Sequence, residues 1–91
     1  MREEAKWWLD DANRCLEKAE RMLELNYTED CVFFCHQALE KLFKGLTIHK
    51  LRQLPEKTHS LPRLYKKLEK YVKLSDDLVD FLHMITPYYY T

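Results

Sequence analysis

One glycine and three prolines leave this 91-residue chain very little turn chemistry. A sandwich or barrel needs a turn signal roughly every 8–12 residues, so that class is excluded and a few long helices are expected instead. The apolar spacing agrees. Ala5, Trp8, Leu9, Ala12, Leu16, Ala19 and Leu23 recur three or four residues apart, which predicts a first helix from about Glu3 to Leu25. Asp10–Arg14 and Glu17–Arg21 set acid before base at four-residue spacing and are expected as surface pairs. Trp7 falls outside the apolar stripe; it either packs on Lys and Arg stems or marks a contact surface.

The segment LNYTED interrupts the pattern. Thr28 is the expected N-cap of a second helix running to about His49, with Glu29 and Asp30 facing the positive end of its dipole. At 100° steps, Cys31, Val32, Cys35, Ala38, Leu39, Leu42, Phe43 and Leu46 fill one broad half. His36, Gln37, Glu40, Lys41, Lys44 and Thr47 fill the other, joined by Phe33. Gly45 weakens a helix, so its expected use is close approach to a neighbour. LRQLPEKTHS reads as a loop, after which Ser60 caps a third helix with Pro62 in its first turn. Ser75 caps a fourth, carrying Leu78, Val79, Phe81, Leu82 and Ile85, with Pro87 expected to kink or stop it. The expected fold is all-α, an antiparallel bundle of four helices in one domain spanning residues 1–91. The tyrosines at 88–90 are expected to be covered, by another subunit or a further helix.

Lys plus Arg equals Asp plus Glu. That balance argues against a nonspecific binder of duplex DNA, while leaving room for a local basic patch. No apolar run approaches the roughly 18 residues of a membrane span. MREEAKWW lacks the apolar stretch of a signal peptide, so no membrane association and a cytoplasmic location are expected, with Cys15, Cys31 and Cys35 reduced. A chain this short buries a limited core, which favours pairing with a second copy or a partner.

Three constellations could carry chemistry. On the second helix, His36, Gln37, Glu40, Lys41 and Lys44 with Phe33 are either ordinary surface pairs or the lining of a subunit or ligand cleft. Cys31, Cys35 and His36, with Cys15, have the elements of a metal site. The helical wheel nevertheless turns the cysteines and His36 apart, so core thiols and no metal or other cofactor are expected. Arg52 and His59 have six residues between them. A histidine can move the protons of phosphodiester cleavage and an arginine can clamp the phosphate, and attack by RNA's own 2′-hydroxyl then needs no metal. In the simpler reading His59 helps start the third helix and Arg52 is solvated. His49 and His83 have no evident partner set, and a single glycine rules out a glycine-rich phosphate loop.

The order WLDDANRCLEKAERML, YTEDCVFFCHQALEKLFKGL, KTHSLPRL and YYYT resembles the HEPN domain (higher eukaryotes and prokaryotes nucleotide-binding) over nearly the whole chain. Its most specific part is Gln37, Ala38, Glu40, Lys41 and Lys44, followed by Thr58, His59 and Leu61. The resemblance implies an all-α bundle that dimerises. It also implies work beside a minimal nucleotidyltransferase, in a two-protein system of toxin–antitoxin type. Some members cut single-stranded RNA without metal through an Arg-x(4–6)-His motif at a dimer cleft; others lack that motif and act in binding. Arg52 and His59 match the spacing but precede the third helix, whereas the family's catalytic pair lies later. The family commonly continues past the tyrosines with an Arg-Tyr-Pro segment and a last helix, and this sequence stops before both. The expected role is therefore a nucleotide-binding and interaction module, homodimeric and partnered with a nucleotidyltransferase. The alternatives are a metal-independent ribonuclease using Arg52 and His59 on single-stranded RNA, and a purely structural dimerisation bundle.

Overall fold

The computed structural model describes residues 1–89, with side chains through Pro87. Four α-helices follow in order: α1 (Glu3–Glu24), α2 (Thr28–Leu46), α3 (Leu61–Leu68) and α4 (Asp76–Tyr89). No strand occurs among the described residues, so the all-α bundle stands as expected. No helix among them is long and apolar enough to cross a membrane. The expected cover of the tyrosine run concerns side chains outside the described residues.

α1 ends where Asn26 takes a left-handed conformation, φ 62°. Asparagine tolerates that region, and it lets the next amides close back on the helix. The Asn26 N–H donates to the Leu23 carbonyl at 3.0 Å and the Tyr27 N–H to the Met22 carbonyl at 2.8 Å. This closure delivers the chain straight into α2. Tyr27 rather than Thr28 is the boundary residue, and no side chain caps the helix there, which corrects the expected Thr28 cap.

α1 and α2 then run antiparallel. Their seam on α1 is made of small buried residues, Ala5, Ala12, Cys15 and Ala19. Gly45 sits opposite its upper end. A Cβ on Gly45 would lie 3.1 Å from both Trp8 Cβ and Leu9 Cδ2, and 3.2 Å from the Ala5 carbonyl oxygen. Close approach is therefore what Gly45 provides, as its position predicts.

The regular part of α2 ends at Leu46, before the expected His49, and widens into a π-helical turn over Thr47–Leu51. The Thr47 hydroxyl donates to the Phe43 carbonyl at 2.8 Å. Arg52, φ 55°, stops the turn. α3 begins as expected: the Ser60 hydroxyl accepts the Arg63 N–H at 3.4 Å and Pro62 occupies the first turn. The Tyr65 hydroxyl donates to the Val72 carbonyl at 2.8 Å and accepts the Leu74 N–H at 3.1 Å, fastening the turn after α3 to that helix. Ser75 accepts the Leu78 N–H at 3.2 Å. α4 continues through Pro87 to Tyr89 instead of stopping there, close enough to its end that few backbone bonds are at stake.

The core joins α2, α3 and α4 through Phe43, Leu61, Leu64, Tyr65, Leu68, Leu82 and Ile85. The Phe43 and Tyr65 rings lie 5.8 Å apart. On the outside of α1 the expected pairs exchange partners: Arg14 pairs with Asp11, and Arg21 lies 3.9 Å from Glu24. These side chains are all exposed, so the choice between spacings three and four carries little energy. Trp7 is 62% exposed, outside the stripe as read.

Candidate functional site: a buried polar row on α2

His36, Glu40 and Lys44 follow one another along a single side of α2, Thr47 continues the row into the π-helical turn, and all four are buried. The helical wheel assigns them to the half turned away from the core. The structure turns them inward because two other segments cover that half. The connection between α2 and α3 brings His59 onto Glu40, and α1 lays Trp8 beside Lys44, whose Nζ is 5.6 Å from the indole centroid.

Glu40 is the centre of the row. Its Oε2 accepts from Lys44 Nζ at 3.0 Å, and its two oxygens lie 3.0 and 3.1 Å from His59 Nδ1. A buried charge is tolerated only when paired in this way. His36 Nδ1 is 3.9 Å from Glu40, too far for a hydrogen bond. Burial holds the His36 imidazole below its ordinary pKa near 6.5, while the Glu40 charge and a hydrogen bond with the His59 backbone act in the opposite direction. The net shift is downward, so His36 is neutral at pH 7.

Gln37 and Lys41 are half-buried, and Lys41 Nζ reaches Cys15 Sγ at 3.5 Å. Phe33 is exposed and meets Phe34 edge-on at 5.4 Å. Of the six residues expected to line an outward cleft, then, Phe33 alone is exposed, and only to 40%. The apolar half of the helix splits: Phe43 enters the core with Val32, Leu39 and Leu46 packed beside it, and the remainder faces a groove. Cys35, Ala38, Leu39 and Leu42, with Leu16 and Phe81, line a groove of about 490 Å³ between α1, α2 and α4.

Arg52 and His59 occupy different surroundings. Arg52 lines a cleft of about 280 Å³ with Met1, Arg2 and His49. His59, its side chain 46% exposed, is bound to Glu40. A carboxylate on Nδ1 orients an imidazole and selects its tautomer, as a general base requires. Cys15 is buried and Cys31 and Cys35 are half-buried; burial, with the nearby Cys31, raises the Cys35 thiol pKa. No group of three or more His, Cys, Asp or Glu among the described residues is arranged to hold a metal ion.

Two features escaped the reading of the sequence. Trp8, read as a core residue, also stacks on Lys44, and neither its spacing nor its type signals that contact. The second is a groove of about 680 Å³ between α3 and α4, edged by Lys66, Lys70 and Lys73. Its signal was present as lysines recurring three and four residues apart.

A family model described as the HEPN domain matches residues 5–91. No curated protein and no solved structure matches the chain.

Proposed function

This chain belongs to the HEPN family, whose domains are nucleotide-binding or ribonuclease-type modules, and we propose that it is a binding and interaction module rather than a nuclease. In this reading it forms a homodimer and works with a minimal nucleotidyltransferase in a two-protein system of toxin–antitoxin type. The observation that carries the choice is the fate of the two residues with ribonuclease spacing. Arg52 shares its cleft with Arg2 and His49, whereas His59 is engaged by a buried carboxylate that Lys44 already neutralises. A phosphate clamp and a proton carrier must meet at one scissile bond, and within one chain the cleft that Arg52 lines is bounded by Met1, Arg2 and His49 and not by His59.

The ribonuclease reading keeps one supporting observation, the Glu40–His59 contact, because it presents a partly exposed imidazole in a defined orientation. Incubation with single-stranded RNA in EDTA separates the two. The expected result is intact RNA together with measurable nucleotide binding. Cleavage abolished by both Arg52→Ala and His59→Ala would replace the binding reading with the enzymatic one. Sedimentation across a concentration series tests the dimer, and co-purification with a co-expressed minimal nucleotidyltransferase from the same genome tests the partnership.

A further inference from the structure

The polar row of α2 is largely consumed inside the fold, so a ligand has to find its contacts elsewhere. The charge distribution indicates where. The chain as a whole is neutral, yet residues 56–73 hold Lys57, Arg63, Lys66, Lys67, Lys70 and Lys73 against Glu56 and Glu69. Glu56 is already spent. It accepts from Arg63 Nε at 2.8 Å and lies 3.9 Å from Lys67 Nζ. Among the described residues, Lys66, Lys70 and Lys73 enter no ion pair. All three are exposed and stand along one groove of about 680 Å³ between α3 and α4.

The remainder of the lining narrows the ligand class. Tyr65, Leu74, Val79 and Leu82 give the groove an apolar floor. Glu69 and Asp76 add two carboxylates and His83 an imidazole. A bare polyanion would be repelled by those carboxylates. A nucleoside phosphate suits all three parts: its phosphates meet the ammonium groups, its flat base covers apolar surface, and its hydroxyl and amino groups donate to carboxylates.

We propose that the α3–α4 groove is a nucleoside-phosphate site, with Lys66, Lys70 and Lys73 holding the phosphates and the Tyr65–Leu74–Val79 floor holding the base. The proposal rests on the nucleotide-binding reading and relocates its site from α2 to this groove. Free nucleotides and single-stranded RNA share this chemistry, and the assay distinguishes them.

The test measures binding of ATP, a uridine decamer, inorganic triphosphate and polyglutamate to the full chain. The same probes are applied to Lys66→Glu/Lys70→Glu and to a control of equal charge change on α1, Lys6→Glu/Arg21→Glu. Circular dichroism verifies that each variant folds. ATP or the decamer is expected to bind the wild type, to weaken at least tenfold in the groove variant and less than twofold in the control. The tighter of the two identifies the source. Triphosphate is expected to bind more weakly than ATP, because it leaves the floor empty. Nucleotide binding that survives the groove variant overturns the location and leaves the nucleotide reading standing. Equal losses in both variants, or polyglutamate binding as well as ATP, would reduce the groove to nonspecific charge and overturn the site. No binding of any probe to the wild type would end both this proposal and the reading beneath it.

Discussion

The two sides of α2 depart from helical periodicity on one side only: the apolar side reaches the core through Phe43 as expected, while the polar side is buried as well. The side bearing His36, Glu40 and Lys44 is closed over by Trp8 and the segment that carries His59. The side bearing Cys35, Ala38, Leu39 and Leu42 opens on a groove. Burial is decided by what packs against a surface, and polarity only sets the terms. A closed polar side needs every charge matched, while an open apolar side loses little because part of its area stays in water in any case.

The largest consequence lies on the closed side. Glu40→Ala removes the carboxylate shared by Lys44 and His59 and strands a buried ammonium group. Breaking a buried pair from one end costs about 3–5 kcal/mol. For a domain of this size that is a fall in Tm of at least about 12 °C. Thermal or urea unfolding measures it. A change below about 1 kcal/mol would mean that Glu40 is solvated in solution and the side is not closed.

The open side should respond less. Leu42 is half-buried and lines the groove, so Leu42→Ala is expected to cost about 1 kcal/mol, below the roughly 2–5 kcal/mol of a fully buried leucine. Leu61→Ala, at a site with no exposure, supplies the reference in the same assay. If Leu42→Ala matched Leu61→Ala, something fills the groove in solution and the contrast between the two sides disappears.

Gly45→Ala tests the seam between them. Alanine improves helix propensity by roughly 1 kcal/mol, but its Cβ meets Trp8 Cβ and the Ala5 carbonyl, which are fixed to the α1 backbone. Overpacking of this kind costs about 1–3 kcal/mol, so the net expectation is a loss of about 0–2 kcal/mol. A gain in Tm would show that α1 can move away from α2 at no cost.

These sites also mark how far the sequence could be read. Ser60, Ser75 and Pro62 were legible because each acts through its own backbone or through neighbours within one helical turn, and Gly45 because a glycine inside a helical pattern already implies a close neighbour, here α1. The α1 helix was legible because its spacing repeats over five turns, although Leu16 and Leu23 of the expected stripe are exposed and Cys15 is buried in the seam instead. The reach of Glu40 to His59 was not, since it spans nineteen residues and depends on the path of a loop without periodicity. Thr28 was misread because Asn26 turns the chain one residue earlier than a capping preference indicates. The π-helical turn at Thr47–Leu51 leaves no mark in residue type. For the same reason Arg52 and His59, matched by spacing, were placed in different surroundings by the turn and loop between them.

The smallest expected effect is a pH dependence of the closed side. Burial lowers the His36 pKa below 6.5 in the folded chain, so over the interval beneath 6.5 the unfolded chain binds a proton that the folded chain does not. Stability from this residue is therefore complete above about pH 6.5 and declines as the pH falls through that interval toward the folded-state value. The pH acts on the rest of the chain too, so the informative quantity is the difference between wild type and His36→Gln. The variant should unfold more easily at pH 7.5, having exchanged a fitted ring for an amide, and the gap should narrow as the pH is brought to 5.5. Urea midpoints at several pH values give this directly. A gap that stays constant would mean that His36 titrates at its ordinary value, which a ring sealed between Glu40 and the His59 backbone cannot do.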